Sequence, residues 1–209
     1  MASHRFGAPA PGISPGDKLF FAALPSAAAR YGAWAWANLL QGELGRPAYR
    51  VPARCLHVTL AGLGAGYAMS PARLARAQAA AGRVSAAAFL AAFNRIESWR
   101  GDPRPRVLTG EDGVIGLCRL QERLCMALAA AGFEPRWAAN FTPHMTLMRD
   151  RKETPIRFIA PILWRVESFA LVQSHVGEGR YTVLGEWPLR GDPSGSLTKL
   201  CRVPRQAPC

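Results

Sequence analysis

Lysine is nearly missing from this 209-residue chain: Lys18, Lys152 and Lys199 stand against 23 arginines in a total of 26 basic residues. The net charge of +12 and the pI near 10.5 are therefore an arginine charge. Such a surface favours anionic partners, and the planar guanidinium fork grips phosphate oxygens in pairs, which points to nucleic acid or nucleotides over acidic proteins. A coding bias that enriches Ala, Arg, Gly and Pro together is the competing source of the same charge. Cysteine gives little to build with. Cys55, Cys118, Cys125, Cys201 and Cys209 form no C-x-x-C pair and no even-numbered framework of a small secreted scaffold, so a reducing cytoplasm is the expected location. Long apolar runs are absent too: Leu19 to Leu24 is too short to span a bilayer and follows no signal-peptide pattern, so a soluble chain with no membrane partner is expected. Only four histidines occur, no H-E-x-x-H is present, and His4 and His175 are poor third ligands beside a histidine pair, so no metal and no other cofactor is expected.

What is present fits one domain, or one domain of two similar lobes, with 49% apolar residues to fill a core. Met1 to Gly16 carries three Pro and three Gly and reads as a flexible leader. Residues 17–190 read as the folded domain, and 191–209, with Arg202, Arg205 and three prolines, as a flexible basic tail. Within the domain, Lys18 to Leu24 reads as a buried strand, and Ser26 opens a helix that Gly45 and Pro47 stop near Leu44. Ser70-Pro71 opens a second helix ending at Gly82. Leu117, Leu120, Leu124 and Leu128 recur at helical spacing before Gly132. Ala86 to Trp99 carries conflicting signals, alanines for helix and spaced aromatics for strand. Val107 to Thr109 reads as a short strand and Arg149 to Thr154 as a polar loop. Ile162 to Ser174 and Tyr181 to Leu189 read as two β-rich runs joined as a hairpin.

One phrase is written twice: Leu56-His57-Val58-Thr59-Leu60 and, 87 residues later, Pro143-His144-Met145-Thr146-Leu147. In an extended strand the His and Thr of each copy share one face, roughly 7 Å apart, while the apolar neighbours fill the other. If the two strands lie side by side, two imidazoles face each other, one free to take a proton while the other gives one. Thr59 and Thr146 are candidates to donate hydrogen bonds to non-bridging phosphate oxygens, and Arg149 is a candidate phosphate clamp. Phe20, or its neighbour Phe21 on the same strand, is the candidate for stacking on a nucleobase.

These residues resemble those of the 2H phosphoesterase superfamily, and within it the RNA 2′,3′-cyclic phosphodiesterases, also called 2′-5′ RNA ligases. The likeness rests on the paired His-x-Thr motifs, on Leu19-Phe20-Phe21-Ala22-Ala23-Leu24-Pro25, on Arg149, and on Phe169 to Ser174 with Tyr181 and Trp187-Pro188-Leu189. It implies an α+β, bilobed fold in which two pseudo-symmetric lobes with antiparallel sheets enclose a central cleft, and it implies that Phe89 to Trp99 is strand. It further implies metal-independent opening of a terminal 2′,3′-cyclic phosphate to a 2′-phosphate, with His57 as proton donor and His144 as proton acceptor. RNA ends or small cyclic nucleotides are the implied partners, and a monomer is expected. A binding module without turnover is the alternative, because Ala61 and Gly62 stand where such proteins usually carry a basic and a large apolar residue. Minor 2′-5′ joining of RNA ends is the same chemistry in reverse.

Overall fold

The computed structural model describes residues 10–134 and 141–190. Its strands and α-helices follow in the order β1 (Lys18–Ala23), α1 (Ala27–Leu44), β2 (Tyr49–Arg50), β3 (Val58–Ala65), α2 (Pro71–Ala81), β4 (Phe89–Ser98), β5 (Arg104–Thr109), α3 (Ile115–Ala130), β6 (His144–Asp150), β7 (Arg157–Val166), β8 (Ser168–His175) and β9 (Arg180–Pro188). The helix ends follow local chemistry. The Ser26 hydroxyl accepts from the Ala29 amide, and Gly45 closes α1 at φ 64°. Ser70 accepts from the Arg73 amide, and Pro71 at the first helical position lacks an N–H that would go unused there.

The strands pair antiparallel in the order β7-β4-β5-β6-β3-β1-β8-β9, with β2 on β6. The middle of this sheet is barely joined. β3 meets β6 at one pair, Val58 with Met145, and β2 then takes over the edge of β6 at Met148 and Arg149. The path thus divides into two four-stranded halves, lobe A (β3-β1-β8-β9) and lobe B (β6-β5-β4-β7), each with its His-x-Thr strand at the seam. This is the bilobed α+β architecture that the motifs imply. On one face of both lobes lies a single apolar core that includes Phe21, Leu56, Val58, Leu108, Leu117, Leu124, Met145 and Phe169. α3 packs there against β3 and β4, and α1 against β6 and β7. Gly116 permits that contact, because a Cβ on it would fall 2.3 Å from the Phe89 ring.

Phe89 to Ser98 is strand, with Ala91 and Phe93 buried, so burial on a sheet overrides the helix preference of the alanines. The run Ile162 to Ser174 is not one strand. It breaks at Glu167, leaving β7 on β4 in lobe B and β8 on β1 in lobe A, so the chain crosses between lobes there. The hairpin is β8 with β9, turned through Gly177 and Gly179 at φ 90° and 57°. β6 runs on to Asp150, into the stretch expected to be loop. The described part of the expected leader, residues 10–16, is packed. Ala10 and Ile13 are buried, the Ala10 amide donates to the Met69 carbonyl, and the Ser14 carbonyl lies where a Cβ on Gly66 would be. Residues 1–9 and the expected tail 191–209 lie outside the described residues.

Candidate active site

Val58 and Met145 point into the core and are fully buried. Opposed residues of an antiparallel pair share a face, so one step either side of this pair sets His57 opposite Thr146 and Thr59 opposite His144, on the face away from the core. The weakest joint of the sheet is therefore where both motifs meet. The two histidines are near enough that a protonated His144 opposes protonation of His57.

Both imidazoles are held the same way. His57 Nδ1 lies 2.7 Å from the Cys55 carbonyl oxygen and His144 Nδ1 lies 2.9 Å from that of Thr142, in each case two residues back. A carbonyl only accepts, so Nδ1 carries the hydrogen and Nε2 is left for chemistry. His57 Nε2 turns over its own strand to within 3.0 Å of Thr59 Oγ1, closing the roughly 7 Å expected from strand repeat alone. Burial pushes both histidines below their ordinary value of 6.5. The Cys55 carbonyl partly offsets this at His57, while His144 adds to it. At His144 the Thr142 carbonyl and Glu97 oppose the shift and the Arg149 charge adds to it.

Arg149 reaches this face through a β-bulge. Strict alternation from His144 and Thr146 would bring Met148 to the site and send Arg149 to the core. The register between β5 and β6 slips instead: Val107 faces Thr146, whereas Arg106 faces Met148 and Pro105 faces Arg149. Met148 is buried as a result and Arg149 exposed. The bulge is anchored from the core side, where Asp150 Oδ2 accepts from Arg106 Nη2 at 2.8 Å and Asp150 also pairs with Arg46. Burial alone would raise the Asp150 carboxyl. The Arg151 amide and the Arg46 and Arg106 guanidiniums outweigh it and hold the group below its ordinary value.

Lobe A repeats the device. β1 and β3 slip register at Leu60, so that Ala22 faces Thr59 and Phe20 faces Gly62. Phe20 therefore lies on the site face, with its ring centroid 4.8 Å from that of His57, while Phe21 is core. A second small apolar cluster, Ala22, Ala170 and Val172, lies under Phe20 and Tyr181.

Sequence reasoning singles out His57, Thr59, Phe20, His144, Thr146 and Arg149, and all six lie on this one face. It misses Tyr181 and Trp99 as site residues. Tyr181 stands edge-on to both His57 and Phe20, with centroids 5.4 and 5.7 Å away, and burial pushes its hydroxyl up to about 12. Trp99 stands on His144, centroids 4.3 Å apart. Its period-2 relation to Arg95 and Glu97 was the available signal once β4 is strand. Among the described residues, no three His, Cys, Asp or Glu side chains converge in the way that a metal ion requires. His175 is held between Thr182 and Asp17, away from the pair. Cys55 donates to the Gly179 carbonyl, and Cys118 and Cys125 are buried in α3. No described helix is long and apolar enough to cross a membrane.

The chain is similar to known proteins in sequence and in fold. Residues 25–178 match the model of the 2′-5′ RNA ligase superfamily. The chain is 32% identical over 160 residues to a Thermus thermophilus protein named RNA 2′,3′-cyclic phosphodiesterase, covering 68% of this chain and 76% of that one. Among solved structures it is similar to Escherichia coli LigT in its apo form, with TM-score 0.68 and 28% identity over 84% of this chain and 99% of LigT. It is equally similar to LigT in complex with 3′-AMP, with TM-score 0.69 and 28% identity over 83% and 98% of the two chains. The chain, with its two motifs meeting at one ladder pair, therefore belongs to the 2′-5′ RNA ligase superfamily.

Proposed function

We propose that the protein hydrolyses the 2′,3′-cyclic phosphate at an RNA end to a 2′-phosphate, without a metal ion, using His57 and His144 as acid and base. The observation that carries this reading is the matched pair of imidazoles, each fixed by an Nδ1–H to carbonyl bond and each presenting Nε2 on one face. Family membership and the named phosphodiesterase relative support the reaction class. The 3′-AMP bound by LigT supports a nucleotide in the cleft.

In this mechanism His144 Nε2 takes a proton from water as the oxygen attacks phosphorus. His57, protonated at Nε2, gives its proton to the departing 3′-oxygen, so the P–O3′ bond breaks and the phosphate stays on the 2′-oxygen. The bond from Thr59 to His57 turns to the phosphate as substrate enters, and Thr59 and Thr146 donate to its two non-bridging oxygens. Arg149 supplies charge that holds those oxygens as negative charge builds. The terminal base rests on Phe20, beside Tyr181. The protein acts as a monomer in the cytoplasm. Incubating it in EDTA with an RNA ending in a 2′,3′-cyclic phosphate tests the reading: ring opening to a 2′-phosphate supports it, and binding without opening leaves a non-catalytic RNA-end module.

A further inference from the structure

The two ends of the site differ. β3 and β6 run antiparallel, and each histidine leans toward aromatics beyond its own threonine, so Phe20, Tyr181 and Gly62 form one end and Trp99 and Arg149 the other. The lobe A end is aromatic and apolar, resting on Ala22, Ala170 and Val172. The lobe B end opens into a cavity of about 430 Å³ lined by Glu97, Ser98, Trp99, Arg100, Arg104 and Glu153. That volume lies in the range of small-molecule sites, roughly 300–1,000 Å³. Its carboxylates are already engaged, Glu97 with Arg95 at 3.5 Å and Glu153 with Arg104 at 3.1 Å. Arg100 is exposed and has no ion-pair partner among the described residues. The cavity therefore offers one aromatic face adjoining a catalytic imidazole and one uncommitted guanidinium. Those are the two groups that a nucleotide needs, a surface for its base and a cation for its phosphate.

We propose that this cavity is the subsite for the nucleotide that precedes the cyclic end, its base stacked on Trp99 and its phosphate paired with Arg100. The substrate is then an RNA chain end rather than a free cyclic mononucleotide. This rests on the hydrolytic reading above and adds where the rest of the RNA lies. With the terminal base at Phe20 and the cyclic phosphate between the histidines, the 5′ side of that nucleotide leaves toward lobe B. There Arg149 and Arg100 carry the positive charge that Gly62 does not supply at the opposite end.

The test compares kcat/KM for a 2′,3′-cyclic mononucleotide and for a trinucleotide with the same cyclic end, in the wild type, Arg100→Ala and Trp99→Leu. Trp99 touches His144, so the trinucleotide-to-mononucleotide ratio is the readout, because a change at the imidazole affects both substrates alike. The wild type is expected to favour the trinucleotide about tenfold, near what one stacked base supplies, and each variant to bring the ratio close to one. A wild-type ratio near one, or a ratio that survives both substitutions, overturns the subsite. Equilibrium binding of the trinucleotide and the mononucleotide as 2′-phosphates reads the same ratio without turnover. If neither cyclic substrate opens but Arg100→Ala abolishes a tenfold binding preference, the hydrolytic reading fails and the subsite stands.

Discussion

Gly62 occupies in lobe A the position that Arg149 occupies in lobe B: each lies three residues past the motif threonine, beyond a β-bulge, on the site face. This position is therefore charged in lobe B and uncharged in lobe A. A Cβ on Gly62 would meet nothing within 4 Å, and the residue is exposed, so a long side chain fits there without strain. Gly62→Arg is expected to tighten binding of a nucleoside 2′-monophosphate by about tenfold, the scale of one charge-assisted hydrogen bond. Titration by calorimetry reads this directly. Unchanged affinity would mean that the phosphate lies out of reach of lobe A.

Burial holds the His57 and His144 imidazoles below 6.5, and the charge of His144 lowers His57 further. A reaction needing one protonated and one neutral histidine then has a bell-shaped kcat/KM profile whose maximum lies on the acid side of 6.5. A profile flat from pH 5 to 9, or peaking above 7, contradicts the pairing. The same shifts act on stability. Just below pH 6.5 the unfolded histidines bind protons that the folded ones resist, so the unfolded state holds more protons and stability falls as pH drops through that window. His57→Gln should lessen the loss in Tm between pH 7 and pH 5.

Phe20 stacks on His57 and so shields it from water, and in the proposed mechanism it also carries the terminal base. Phe20→Leu should raise KM for a cyclic-ended RNA about tenfold and also move the alkaline limb of the pH profile, which follows loss of the proton from His57, up toward the ordinary imidazole value. A higher KM with an unmoved limb would assign Phe20 to base binding alone.

The Arg106 and Asp150 pair is buried on the core side of the bulge that presents Arg149. Asp150→Ala leaves the buried Arg106 guanidinium without its carboxylate, which costs about 3–5 kcal/mol. Urea denaturation is expected to show a loss of that size, and Asp150→Ala combined with Arg106→Met should recover part of it. A loss under about 1 kcal/mol would mean that water reaches Arg106.

Much of this site is legible in the chain because its signal is local. His57 with Thr59, and His144 with Thr146, share a face by strand alternation alone, and Ser26, Gly45 and Ser70 mark helix ends by their own hydrogen bonding and backbone freedom. What alternation cannot supply is a register slip. Arg149 reaches the site because β6 is bulged, which depends on its pairing with β5 and not on any residue of the motif. Trp99 and Tyr181 were hidden for a related reason: their places are set by β4 and β9, strands that join the site face only through the sheet. Ala86 to Trp99 could not be settled from propensity, and the break at Glu167 lies inside a run rich in β-formers, where only the exchange of partner strands separates β7 from β8.

The central claim is that two histidines at one seam open a cyclic phosphate unaided. The measurement that tests it is end-group analysis of a cyclic-ended RNA incubated in EDTA with the wild type, His57→Ala and His144→Ala, each checked for folding by circular dichroism. The account predicts conversion to a 2′-phosphate by the wild type and a loss of at least about a hundredfold, the lower bound for one proton transfer, in either variant. Full activity in either folded variant, or a wild type that opens nothing in EDTA, would contradict it.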